Sequence, residues 1–393
     1  MNEAYIIAAT RTAGGRRGGR MSGWHPADLA GQVLNGLLDR TDADPALVDD
    51  VIMGCVGQVG EQALNVARNA VLSSRLPESV PGTSVDRQCG SSQQAIHFAA
   101  QAVMSGTQDI VIAAGVESMS RVPMGASVVL PAKQGMGHYF GPAMHERYPD
   151  VDDFTQFAGA EMMAKKYDLS RDQLDAFALE SHQKAIRATE AGRFDDEILP
   201  IAVRDYDGNG ADEPHTVDEG IRFDASLESI ASVKLLQEGG CITAANASQI
   251  CDGAAGVMVV NERGLKQLGA TPLARIHHLS VIGHDPVIML EAPIPATQRA
   301  LKKAGLSIDD IDLFEVNEAF APVPLAWTRT LGADPERVNV NGGAIALGHP
   351  LGGSGAKLMT TLVHALKQRD VRYGLQTMCE GGGLANVTIV ERL

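Results

Sequence analysis

Aromatic side chains are scarce in this 393-residue chain, at 4%, and cysteines number only five. An odd count with no Cys-x-x-Cys pair argues against a disulfide scaffold and leaves Cys55, Cys89, Cys241, Cys251 and Cys379 as reduced thiols. Long hydrophobic runs are missing too. The stretch Ile110 to Val116 falls far below the roughly 20 residues that span a bilayer, so no membrane association is expected. The N-terminus enters a strand-like segment without the flanks of a signal peptide, and Glu391-Arg392-Leu393 is not a peroxisomal address, so a cytoplasmic protein is expected. Positive charge is in deficit, with 33 Lys and Arg against 48 Asp and Glu and a net charge of −15. Nucleic acid is therefore not an expected partner. The same field repels any small anionic ligand, which would need local cations or helix N-termini to be held.

What the chain does have is apolar substance, 45% of its residues, enough for two or three packed units. Strand-like runs (Tyr5 to Thr10, Val51 to Cys55, Ile110 to Ala114) alternate with helical patterns such as Leu29, Val33, Leu37 and the run Ser91 to Met104. The class is α/β. Residues 121–250 break the rhythm, being richer in Gly, Pro, His and acidic side chains. They hold one plain helix between Arg171 and Ala191, opened by a Ser170–Gln173 capping box and closed at Gly192. The segment reads as an insertion. A duplicated core is suggested by an echo of Val48-Asp49-Asp50-Val51-Ile52 in Ile308-Asp309-Asp310-Ile311-Asp312. A second echo matches Ser84 to Gly115, with Cys89 in its turn, to Val338 to Cys379, with His349 in its turn.

Cys89 lies where a strand ends, Gly90 permits a turn and a helix begins. A helix N-terminus favours thiolate over thiol, so the position points to a nucleophile, although a cysteine taken at random is more often a small core residue. His349 sits in the glycine-rich run Asn341 to Gly355, which matches neither a Walker loop nor a dinucleotide fingerprint. A histidine base with an ordinary pKa near 6.5 is the better reading. Cys379 precedes Glu380 and the triple glycine Gly381 to Gly383 at the end of an apolar strand. Asn317-Glu318 follows another strand and reads equally as a helix cap or a site. No metal site is expected. His277 and His278 are adjacent in a strand and point to opposite faces, and His97 reads as a packing residue.

Taken in order, Cys89-Gly90-Ser91, Asn317-Glu318-Ala319-Phe320, Gly342 to Gly352 with His349, and Cys379 with its glycines resemble the motifs of the thiolase family across nearly the whole chain. The resemblance implies a five-layered α/β/α/β/α fold. Residues 1–120 with 251–268 would form the N-terminal half, 269–393 the C-terminal half, and 121–250 an inserted loop domain that binds coenzyme A. It implies Cys89 as the acylated nucleophile, His349 as its activator and Cys379 as the acid–base group at the substrate α-carbon. Asn317, through a water, would join His349 in one oxyanion hole, and the backbone N–H groups of Cys89 and Gly381 would form another. Arg222, Ser229, Ala244, Ala247, Ser248 and Phe320 would contact coenzyme A.

The activity implied is 3-ketoacyl-CoA thiolysis in fatty-acid or steroid degradation. Coenzyme A and acyl-CoA thioesters would be the substrates, no cofactor would be tightly bound, and the assembly would be a homodimer or homotetramer. Ser92 and Gln156-Phe157 depart from the Gly and Met-Gly of many members and are expected to border the acyl pocket. That departure weighs against the alternative of a biosynthetic acetoacetyl-CoA thiolase. A condensing ketosynthase would use two histidines and lack Cys379, and a non-catalytic acyl-CoA or lipid-binding homologue would have lost Cys89, His349 or Cys379.

Overall fold

The computed structural model describes residues 2–204, 206–207 and 210–393. The chain opens with β1 (Tyr5–Arg11), the short β2 (Gly15–Arg16), α1 (Pro26–Thr41), β3 (Asp50–Gly54), α2 (Val66–Leu72), β4 (Gly82–Val85), α3 (Ser91–Ser105) and β5 (Ile110–Ser118). Next come α4 (Ala126–Lys133), α5 (Pro142–Arg147), α6 (Gln156–Lys166) and α7 (Arg171–Glu190), then the hairpin β6 (Ile201–Arg204) with β7 (Gly210–His215), and α8 (Leu227–Ala231). The remainder runs β8 (Cys251–Val260), α9 (Glu262–Leu268), β9 (Ala274–Gly283), α10 (Pro293–Ala304), β10 (Leu313–Val316), α11 (Pro322–Leu331), the single turn α12 (Ala344–Leu347), α13 (Ser354–Arg369), β11 (Tyr373–Glu380) and β12 (Leu384–Glu391).

The strands lie in the order β10-β11-β12-β9-β1-β8-β5-β3-β4. β1 and β9 meet through only two residue pairs, Tyr5 with Arg275 and Ile6 with Ala274, so the sheet folds into two halves there. Each half has the same plan: β3 runs parallel to β5 as β10 does to β11, and the third strand, β8 or β12, returns antiparallel. Between β11 and β12 the return is the tight turn Gly381–Gly383. Between β5 and β8 it is the whole stretch from 119 to 250.

The expected register of the first echo needs correction. Asp49 caps the start of β5 by accepting from Ile110 N at 3.0 Å, and the residue doing this for β11 is Asp312, accepting from Tyr373 N at 2.8 Å, not Asp309. Sequence similarity cannot see which aspartate faces the neighbouring strand.

Helices α3 and α13 are packed between the two half-sheets. Ala95, Ile96, Ala99 and Val103 meet Met359, Leu362 and Val363, with Val257 and Val259 on one side and Leu313 and Val390 on the other. Outside the first half lies α1, whose Leu29, Val33 and Leu37 cover Met53, Ile112 and Met258. Outside the second, Ile294 and Ala300 of α10 and Trp327 of α11 cover Phe314, Val387 and Ile389. The result is the five-layered α/β/α/β/α arrangement. Strands covered on both faces explain why β5 reads as an unbroken apolar run. The two central helices start side by side: Ser92 Oγ accepts from Ala356 N at 2.9 Å, and a Cβ on Gly355 would lie 2.2 Å from Gln93 N, so only glycine fits there.

A buried ionic cluster joins this core to the 121–250 segment. Arg11, fully buried, donates to Glu197 at 2.6 Å and to Asp218 at 2.9 and 3.1 Å, while Lys357 reaches Asp218 at 3.3 Å and Leu347 O at 2.5 Å. Burial opposes ionisation of Asp218, but Arg11 and Lys357 prevail and hold its carboxyl at about 2. Removing one member of such a set strands the others without a partner. We expect Arg11→Met to cost on the order of 3–5 kcal/mol, read as a lowered urea midpoint at unchanged slope, with the loss smaller if Glu197→Gln accompanies it.

Candidate active site

The Cys89 turn is built by local hydrogen bonds at the end of β4. Gln88 takes a left-handed φ of 50°, Ser91 Oγ accepts from Arg87 N at 2.9 Å and donates to Gln88 O at 2.5 Å, and Gly90 caps α3. The thiol is at the helix N-terminus, as the spacing predicts, yet the expected thiolate does not follow. Burial, then the nearby Glu380 and Glu117 carboxyls, push Cys89 up to about 12, outweighing the backbone N–H groups of Cys89 and Gly381 that reach its sulfur. A desolvated anion beside two carboxyl groups is disfavoured more than one helix end can repair. Cys89 is therefore a neutral thiol, and to act as a nucleophile it would need a base.

His349 can serve as one. Its Nδ1 lies 2.5 Å from Ser354 Oγ, whose hydroxyl donates to Pro350 O at 2.8 Å, so Ser354 accepts and the ring proton sits on Nδ1. Nε2 then carries the lone pair and faces Asn317 Nδ2 at 3.4 Å. The expected ordinary pKa is also corrected: burial first, with Lys357 second, drives His349 down to about 3, so the imidazole is neutral throughout the physiological range. Asn317 is no helix cap. It follows β10, is tied to Thr377 O through its N–H at 3.1 Å, and its buried Oδ1 has no partner among the described residues. Glu318 is structural, accepting from Ser181 Oγ, Asn339 Nδ2 and Ile345 N at 2.7 to 3.1 Å.

Cys379 closes β11 and is fully buried. Its thiol is raised well above the ordinary range by burial and then by Cys89, which places the Cys89 sulfur close enough to oppose ionisation of Cys379. Gly381 begins the following turn with its N–H on the Cys89 sulfur. Cys89, Cys379, Gly381 and the His349–Asn317 pair thus gather where the N-termini of α3 and α13 meet the ends of β10 and β11.

A cavity of about 750 Å³ opens onto this point, lined by His349 and by Arg222, Ser229, Ala244, Ala247, Ser248 and Phe320. The turn bearing His349 is stitched to that wall, since His349 N donates to Gln249 O at 3.0 Å. Ser229 completes the capping box that Ser226 opens on α8, its hydroxyl accepting from Ser226 N at 3.1 Å and donating to Ser226 O at 2.9 Å, so it shapes the wall while already partnered. Gln156 and Phe157 do border the cavity, with Phe157 edge-on to Phe320 at 5.6 Å. Ser92 does not: it is completely buried in the α3–α13 contact, so its expected place at the acyl pocket is corrected. The reading of the sequence missed Arg16 and Arg17, which stand at the cavity with Arg222. Their clustering among few cations was the available signal.

Family models described as the thiolase N-terminal domain and the thiolase C-terminal domain match residues 4–263 and 270–392. The chain belongs to the thiolase family of acyltransferases. Among similar proteins is the steroid 3-ketoacyl-CoA thiolase FadA6 of Mycobacterium tuberculosis, 53% identical over 395 residues that cover all of this chain and 95% of the relative. The 3-ketoacyl-CoA thiolases of Pectobacterium carotovorum and Yersinia pestis are each 42% identical over 400 residues, covering both chains in full.

Proposed function

We propose that this chain is a degradative 3-ketoacyl-CoA thiolase that uses Cys89 as nucleophile, His349 as base and Cys379 as acid. The observation that carries the reading is the convergence of the half-buried Cys89, the buried Cys379 and a neutral histidine, with His349 lining a cavity that Arg16, Arg17 and Arg222 also line. Those arginines supply the local cations that an anionic coenzyme A needs on a protein of charge −15.

In the first half-reaction His349 Nε2 takes the Cys89 proton and the sulfur adds to the 3-keto carbon. The alkoxide is held by the His349–Asn317 side or by the Cys89 and Gly381 N–H groups. The bond between C2 and C3 breaks, its electrons pass to C2 of acetyl-CoA, and Cys379 protonates that carbon. Coenzyme A then gives its thiol proton to the Cys379 thiolate and attacks the acyl-Cys89 thioester. Cys89 leaves and recovers its proton from His349. The products are acetyl-CoA and a shortened acyl-CoA.

Coenzyme A enters as a substrate, and no tightly bound cofactor is required by these steps. Linear fatty or steroid-derived acyl groups are the proposed substrate class, a reading supported by the names of the relatives and by the apolar wall of Phe157, Phe320 and Leu351. We place the chain in the cytoplasm, divide it into 1–120 with 251–268, 121–250 and 269–393, and assign a homodimer or homotetramer. The half-exposed edge strand β4, with Leu64 and Leu72 exposed nearby, supports association with a second copy.

Intact-mass measurement after mixing with a panel of 3-ketoacyl-CoA thioesters tests the reading. The expected result is an adduct of the shortened acyl group with release of one acetyl-CoA. Absence of both, for linear and steroid-derived thioesters alike, would remove the assignment.

A further inference from the structure

Two buried glutamates flank the Cys89 turn, and the structure treats them differently. Glu117, at the end of β5, accepts from Val56 N, Gly57 N, Gln62 Nε2 and Gly352 N at 2.7 to 2.9 Å. Those donors satisfy an ionised carboxylate and tie the β3 turn to the turn after His349. Glu380 has no such shell. It is completely buried and its Oε2 has no partner. Asn386 reaches the carboxyl through its backbone N–H and through its side-chain amide, the latter 3.1 Å from Oε1 in the orientation that satisfies both ends of that amide. Arg87 is the nearby cation, yet its Nε is likewise buried without a partner. A buried carboxylate with donors from one residue and one bare oxygen is poorly stabilised out of water, whereas the neutral acid tolerates the site.

The location gives this a consequence. Alternation along β11 sends Cys379 toward the outer cluster with Leu375, Ala385 and Val387, and sends Glu380 toward α3. There the carboxyl lies against Gly90, where an added Cβ would fall 1.9 Å from Oε1. The groups facing it are thus Cys89 and Gly90 from the α3 turn, Arg87 from the end of β4, Cys379 on its own strand and Asn386 on β12, while Glu117 of β5 also acts on Cys89.

We propose that Glu380 is a positioning residue for Cys89: packed as a neutral acid beneath the Gly90 turn, it holds the nucleophile without opposing its negative charge, and its ionisation turns the nucleophile off. This rests on Cys89 being the nucleophile. Burial, only partly offset by Arg87 and Asn386, carries the Glu380 carboxyl up to about 8. Ionised, it acts directly against both cysteines. Below its pKa the acid is neutral and Cys89 sees one fewer negative charge. Above it the carboxylate raises the cost of the Cys89 thiolate, so the reactivity of Cys89 stops rising with pH where an ordinary thiol would continue to gain.

The test is the rate of Cys89 alkylation by iodoacetamide, located by peptide mass, from pH 6 to 10 in the full-length protein. In Glu380→Gln the charge is absent, and the rate at pH 9 should exceed the wild-type rate by about tenfold, equivalent to about one pKa unit. Arg87→Met, which removes the cation that helps Glu380 ionise, should move the wild-type break to higher pH and leave its shape intact. A structural role alone would lower all rates together and move no break. Superimposable profiles for wild type, Glu380→Gln and Arg87→Met would overturn the proposal, even if Glu380→Gln is less stable. Should acyl adducts form at a residue other than Cys89, the functional reading fails separately, because the alkylation profile measures the Cys89–Glu380 coupling without substrate.

Discussion

Cys89→Ala should form no acyl adduct with any thioester and should lose thiolysis by roughly a thousandfold or more in kcat. The size follows from the chemistry, because covalent acylation splits the reaction in two and the cavity alone contributes only binding and oxyanion stabilisation. The variant should bind coenzyme A as wild type does, since none of the lining residues is altered. Calorimetric titration with coenzyme A beside single-turnover mass measurement checks both halves. An adduct on the alanine variant would place the nucleophile elsewhere, with Cys379 the first residue to examine.

Cys379→Ala should separate the two halves of the reaction. Exchange of an acyl group between coenzyme A molecules needs Cys89 and His349 but no proton at carbon, so exchange of labelled coenzyme A into acetyl-CoA should persist within about tenfold of wild type. Cleavage of a 3-ketoacyl-CoA should fall by about 10²–10⁴-fold, the range typical of losing a positioned acid. Cys379 is not among the groups that shift the Cys89 thiol, so adduct formation should not become slower at neutral pH. Equal loss of exchange and cleavage would make Cys379 a structural neighbour of Cys89 and would reassign the proton at carbon to another group.

Much of this site is legible without coordinates because its parts are local. A cysteine at a strand-to-helix turn, a histidine in a glycine-rich turn and a cysteine before three glycines are each set by a few consecutive residues. The six residues expected at coenzyme A proved to share one wall with His349 for the same reason, since each sits in a short motif. The capping box at Ser170, which opens α7, is legible on the same scale.

Electrostatics and packing were not legible. The Cys89 pKa moves opposite to the expectation from its helix position because burial desolvates the thiol first, and because Glu380 and Glu117, 291 and 28 residues away in sequence, are brought beside it. Ser92 belongs to the α3–α13 contact and not to the pocket, because its partner Ala356 lies in the other half of the chain. Arg16 and Arg17 reach the cavity while Arg11, equally cationic and a few residues earlier, is buried with Glu197 and Asp218.

The sequence by itself determined the residue types, the order of the strands and helices, and the chemistry each short motif can perform, since these depend on spacing along the chain. Tertiary structure alone decided which thiol is neutral, which glutamate is satisfied and which arginines reach the cavity. Burial and charge proximity are sums over neighbours from distant segments, and no local pattern records them.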